Sequence, residues 1–279
     1  MRKLITPYAA GFGKPNVVIK HFPDDESYVL IPRIESLKNE KVLVMHSLYP
    51  HPDKRIFELL LILARLKKET KNIEIFIPYL PYARQDRENK KGETVSADVL
   101  CSLLAQSGVK KLITYDCHFL AGPGKFVRQG LTIENLSAGK ILVDYAKKYF
   151  AKESSSEKFL VISPDEGASY FTENAQGHSL KKTRKSATKI HKMEGDFNIG
   201  GKNICILDDI IATGGTIIHA IGHLKKQGAK KIIVGATHGV FAKEGIEKAI
   251  IKAGAKRLFT TNSILSENPA KFVHILKLD

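Results

Sequence analysis

The chain has 279 residues, 43% hydrophobic and 26% charged, enough apolar material for one large core or two medium ones, which excludes a disordered chain. Its longest strongly apolar stretch, Leu59 to Ala64, is closed off by Glu58 and Arg65, far short of the roughly 20 residues that span a bilayer, so no membrane helix is expected. The formal charge of +15 raises the question of nucleic acid, but the lysines are spread in pairs such as Lys67-Lys68, Lys110-Lys111 and Lys230-Lys231, with no zinc-finger, helix-turn-helix or RNA-recognition pattern among them, so nucleic acid is not the expected partner.

In chain order, residues 1–14 include basic residues but no sustained apolar run, and glycines and Pro15 interrupt them; they read as mature protein rather than a signal peptide. Short apolar runs at 41–47, 73–79, 111–116, 158–164, 203–209 and 231–238 predict buried parallel strands. Helical apolar spacing lies between them at 53–69, 95–107, 137–150, 215–227 and 243–253. Strand and helix therefore alternate, which predicts an α/β fold with mainly parallel sheets flanked by helices, and ligands bound beyond the carboxyl ends of the strands. Composition shifts at the Ser-rich segment 151–157, placing a first domain over 1–150 and a second over 151–279. The stretches GVKKLITYDCH (108–118) and GAKKIIVGATH (228–238) match at the glycine, both lysines, an isoleucine and the final histidine, a faint sign of duplication. Cys101, Cys117 and Cys205 share no metal-ligand spacing and leave one thiol unpaired in any disulfide scheme, which fits a reducing cytoplasm.

The sharpest local signal is ICILDDIIATGGT (204–216), an apolar strand, two carboxylates, and a Thr-Gly-Gly-Thr turn opening a helix. Glycines let backbone amides approach a phosphate, and a helix N-terminus adds unpaired N–H donors and partial positive charge, so Thr213, Gly214, Gly215 and Thr216 form a candidate monophosphate cradle. Asp208 and Asp209 are placed to accept hydrogen bonds from vicinal sugar hydroxyls or to hold a metal through water. The missing Gly-Lys-[Ser/Thr] ending excludes a Walker A loop. PYLPYARQDR (78–87) is a rigid, polar, cationic loop in which Arg84 and Arg87 suit a phosphate and Gln85 and the tyrosines a purine. His118, just past a strand end, reads alone as a structural hydrogen bonder, and the basic run 180–192 as a solvated loop.

The 204–216 element closely resembles the phosphoribosyl-binding loop of the type I phosphoribosyltransferase superfamily, in which the two acids bind ribose hydroxyls and the turn binds the 5-phosphate. PYLPYARQDR matches the specific loop of one branch, the ribose-phosphate diphosphokinases. Three further stretches match that family in order, HFPDDES (21–27), YDCHF (115–119) and SPDEG (163–167), and the basic run supplies a Lys-x-Arg pair. The resemblance runs from about residue 20 to about 263. It implies two similar phosphoribosyltransferase-like domains, with the last residues packing back on the first, and assembly as a homo-oligomer, a dimer or hexamer. It implies transfer of the terminal diphosphate of ATP to the 1-hydroxyl of ribose 5-phosphate, with Mg²⁺. Phe22, Asp24 and Glu26 would then contact ATP bound across a subunit interface, Arg84, Gln85, Arg87 and His118 the same nucleotide, and His118 and Asp165 the metal. Lys182 and Arg184 would close over the reacting phosphates. The departures are Asp25 in place of a glycine, Glu166 in place of Lys or His, and Ala212 in place of an aspartate. They motivate a non-catalytic regulatory relative as an alternative, and the 204–216 element alone admits a phosphoribosyltransferase.

Overall fold

The computed structural model describes residues 1–152, 159–164, 170–173, 178–186, 189–194, 198–265, 270 and 272–278; within these, 172–173, 178–179, 181–186 and 189–194 are described by backbone only. The chain divides into two compact units, with the break between Leu136 and Ser137. Among the described residues, no helix is long and apolar enough to cross a membrane.

In the first unit, β1 (Arg2–Ile5) leads to a hairpin of β2 (Val18–His21) and β3 (Ser27–Leu30). Then follow β4 (Val42–Met45), α1 (Pro52–Leu66), β5 (Ile73–Phe76), α2 (Ser96–Gln106), β6 (Val109–Tyr115), β7 (Gly124–Arg128) and β8 (Leu131–Leu136). The main sheet has the order β1-β4-β5-β6-β8-β7, parallel throughout except for the β7–β8 edge pair. β4 is buried at every position because helices cover both faces of such a sheet, which removes the polar alternation of a half-exposed strand. α1 turns Leu59, Ile62, Leu63 and Leu66 inward at three- and four-residue spacing, into the core that also holds Ile75 and Leu112.

The second unit comprises α3 (Gly139–Ala151), β9 (Phe159–Ser163), α4 (Tyr170–Glu173), β10 (His178–Ser179), and a hairpin of β11 (Lys181–Ser186) and β12 (Lys189–Glu194). It continues with β13 (Asn203–Ile211), α5 (Gly215–Lys226), β14 (Lys231–Gly239), α6 (Ile246–Ala253), β15 (Arg257–Thr261) and β16 (Val273–Leu276). Its sheet runs β10-β9-β13-β14-β15-β16, every pair parallel. Ile204, Ile206, Ile221, Leu224, Val234 and Leu258 lie in its core.

The expected α/β architecture is therefore present twice. The compositional shift at 151–157 falls later than the break between the units, because α3 packs with the second: Phe150 lies 5.1 Å from Phe159, and Tyr145 4.6 Å from Phe259, between ring centroids. Ahead of the last residues, Val273–Leu276 pairs with β15 in the second sheet. The matched stretches 108–118 and 228–238 occupy equivalent joints. Gly108 (φ 92°) follows α2 and leads into β6, and Gly228 (φ 83°) follows α5 and precedes β14, both in the left-handed conformation that ends helices at glycine.

Candidate functional site

The segment 22–26 is the turn of the β2–β3 hairpin. The Phe22 amide donates to the Glu26 carbonyl (2.8 Å), the Asp25 amide to the Phe22 carbonyl (2.9 Å), and the Glu26 amide to Asp24 Oδ1 (3.3 Å). This brings Phe22, Asp24 and Glu26 to one exposed tip. Asp25 has φ 70°, which is why a glycine suits this position, and aspartate is among the few side chains that tolerate it. Its carboxylate pairs with Lys54, whose hydrogen bond holds the Asp25 carboxyl below its ordinary pKa.

The loop after β5 is anchored on the neighbouring residue of α1. The Tyr82 hydroxyl donates to Asp53, and that bond pushes its pKa up to about 12. Tyr82 itself is left-handed (φ 63°), and the Gln85 amide returns to its carbonyl at 3.0 Å. Arg84 and Arg87 are exposed, and Gln85 is half-buried. The hairpin turn and the arginine loop thus fasten to Lys54 and Asp53, side by side in the first turn of α1. His118 is half-buried in the loop after β6, where the Cys117 amide donates to Asn135 Oδ1 (2.9 Å) and the Asn135 side-chain amide to the Gly122 carbonyl (2.7 Å).

Sequence reasoning missed the support beneath these residues. Glu58 Oε1 on α1 accepts from the hydroxyls of Tyr8 (3.3 Å) and Ser27 (3.2 Å) and bonds His21 Nε2 (2.8 Å), tying the hairpin to the helix. The Arg55 guanidinium lies 3.7 Å from the Tyr8 ring centroid. A signal for Glu58 was available, since a charge interrupts the apolar side of a helix only when partners wait for it.

In the second unit, Asp208 and Asp209 lie near the carboxyl end of β13, each only 6% exposed. The Asp209 amide donates to Asp208 Oδ1 (3.0 Å) and the Ile210 amide to Asp209 Oδ1 (2.8 Å), fixing both carboxylates. Beyond them, the carbonyls of Ile211 and Ala212 accept the amides of Phe241 and Ala242, both at 3.0 Å, so the backbone at Ala212 is held without an aspartate side chain. Gly214 is left-handed (φ 74°), and a Cβ there would come within 2.9 Å of Ile246. α5 starts at Gly215 with no acidic residue in its first turn, and Thr213 is exposed beside it. Two buried acids, an open turn and the donor end of a helix are thus contiguous. Next to them, a network not anticipated from sequence joins His238 Nδ1 to Ser263 Oγ (2.8 Å) and the Ser263 and Thr261 hydroxyls to the Thr237 carbonyl (2.9 and 2.7 Å).

Lys182 and Arg184 lie on β11, in a hairpin whose pairing shifts register between Thr183 and Arg184. Asp165 and Glu166 lie outside the described residues. Among the described residues, no three His, Cys, Asp or Glu side chains gather as a ligand set.

Residues 8–108 match the family described as the N-terminal domain of ribose phosphate pyrophosphokinase, and residues 166–272 match the phosphoribosyl transferase domain family. The ribose-phosphate pyrophosphokinase of Sulfurisphaera tokodaii is 36% identical over 273 residues, covering 92% of this chain and 88% of the relative. Those of Pyrococcus abyssi and Methanobrevibacter smithii are 33% and 32% identical, each over 90% of this chain and 85% and 87% of their own. The crystal structure of phosphoribosylpyrophosphate synthetase from Mycobacterium smegmatis has the same fold, with a TM-score of 0.78 at 24% identity, over 99% of this chain and 95% of that one.

Proposed function

The chain belongs to the ribose-phosphate pyrophosphokinase family, an enzyme family that makes phosphoribosyl diphosphate, and on that premise we propose how its own residues divide the reaction. The 1-hydroxyl of ribose 5-phosphate attacks the β-phosphorus of ATP and loses its proton to solvent; a bond forms between that oxygen and the β-phosphorus, the bond from the β-phosphorus to the α–β bridging oxygen breaks, and AMP departs with that oxygen. Such a transfer depends on positioning the reactants and neutralising charge on the phosphate oxygens, and little on covalent help from the protein.

The observation that carries this division is the β13–α5 element. Asp208 and Asp209 hold the ribose hydroxyls as acceptors, while the amides and hydroxyls of Thr213 to Thr216 bind the 5-phosphate at the donor end of α5. Arg84 and Arg87 take the nucleotide phosphates and Gln85 the base edge. Phe22, Asp24 and Glu26, on their exposed tip, contact the nucleotide of a neighbouring copy, so the working protein is a homo-oligomer. The exposure of Phe22 (51%) supports that reading. Lys182 and Arg184 close on the transferring oxygens. His118 and Asp165 would hold Mg²⁺, which would screen the triphosphate and draw electron density from the phosphorus. Three cysteines buried as free thiols are compatible with a cytoplasmic location.

Replacing Asp209 by Asn keeps the shape of the strand end and removes a charged acceptor. The KM for ribose 5-phosphate is expected to rise about tenfold or more while that for ATP changes little. Steady-state kinetics with each substrate varied in turn would show it; equal losses for both substrates would remove Asp209 from the sugar site.

A further inference from the structure

We propose that Arg128 is a positioning residue for the nucleotide, holding the arginine loop and the His118 segment in the arrangement that ATP requires. It lies on β7, the antiparallel edge strand, outside every segment assigned to the reaction. Its side chain is only 22% exposed. Nε donates to Asp98 Oδ1 at 2.6 Å, Nη2 donates to the Asp86 carbonyl at 2.7 Å, and the guanidinium carbon lies 4.3 Å from the ring centroid of Phe119.

One planar group therefore joins three segments. Asp98 is in the first turn of α2, Asp86 lies between Gln85 and Arg87, and Phe119 follows His118. The α2 end adds a second tie to the same loop, since the Ala97 amide donates to the Gln85 carbonyl at 3.2 Å. The carbonyls of residues 85 and 86 are thus both fixed from outside the loop, while the Arg84 and Arg87 side chains project to solvent. A loop ordered in advance loses less freedom when its ligand arrives, and the gain appears as affinity. Asp98 completes the device. Its hydrogen bond from Arg128 holds its carboxyl below the ordinary pKa, so it stays ionised and keeps the fork oriented.

Only a guanidinium meets this geometry, because a carboxylate, a carbonyl and a ring face must be served at once by a flat fork; an ammonium offers a single point of charge. The inference rests on the reading that residues 84–87 and His118 face ATP, and the test separates the two. Arg128→Lys and Arg128→Gln are compared with the wild-type chain for KM of ATP, KM of ribose 5-phosphate, kcat and Tm. Both variants are expected to raise the KM for ATP by about tenfold while the KM for ribose 5-phosphate stays within about twofold, and Arg128→Lys is expected to retain the wild-type Tm. Wild-type KM for ATP in Arg128→Lys overturns the proposal, whether or not Arg128→Gln folds. So does a parallel rise for both substrates, which would make the residue a general stabiliser. A wild-type chain that forms no AMP from ATP and ribose 5-phosphate would fail the underlying reading instead.

Discussion

His46 has an ionisation strongly altered by its surroundings. It sits at the end of β4 with no exposed surface, its Nε2 donating to the Arg55 carbonyl (3.0 Å) and its Nδ1 beside the Thr6 hydroxyl (3.1 Å). A carbonyl only accepts, so the proton is on Nε2 and the ring is neutral. Burial, more than the nearby Arg55 charge, depresses its pKa from 6.5 to about 3. Between these values the unfolded chain binds a proton that the folded chain refuses, so stability falls as pH falls. From this group alone the loss between pH 6.5 and about pH 5 is about 2 kcal/mol. Urea unfolding across that window is expected to show a steeper acid loss for the wild type than for His46→Gln; parallel curves would contradict the buried neutral imidazole. Asp25 illustrates the opposite situation, an exposed residue whose backbone angle, not its charge, answers a doubt raised by sequence. The turn that a glycine would make is made by an aspartate at φ 70°.

At the scale of elements, the join of β13 to α5 is where a single methyl group would matter most. Gly214→Ala places a Cβ on a left-handed backbone and 2.9 Å from Ile246, so a loss of stability of about 1–3 kcal/mol is expected, together with a raised KM for ribose 5-phosphate as the start of α5 shifts. Thermal unfolding and kinetics check this, and an unchanged variant would mean that the turn tolerates another path. This element was legible because each of its parts has a local signature: nine buried residues in a row, paired acids, and glycines before a helix. The β2–β3 hairpin was not, since Ser27–Leu30 alternates half-buried and exposed residues over only four positions. The Arg128 fork was equally hidden. Its three contacts lie up to 42 residues away, and nothing in the local sequence of β7 marks the arginine as different from a solvated one. β16 was missed for a related reason, because its apolar residues gain a partner only when β15 lies alongside.

Over the whole molecule, the two units repeat one solution. In each, the segment following a central parallel strand, β5 or β13, carries the candidate ligand residues, and the crossover helix that follows returns through a left-handed glycine to the next strand. The arginine loop and the phosphate turn are therefore counterparts, long and cationic in one unit, short and glycine-rich in the other. The sequence echo at 108–118 and 228–238 was the visible trace of this repeat; the break between the units was not visible, because α3 declares its side through aromatic packing rather than through composition. The most direct measurement is phosphorus NMR of the purified chain with Mg²⁺, ATP and ribose 5-phosphate. AMP and a diphosphate bonded to carbon 1 of the sugar are expected to appear in equal amounts as ATP disappears; accumulation of ADP with a singly phosphorylated carbon 1, or release of free diphosphate without the sugar product, would contradict diphosphate transfer to the sugar.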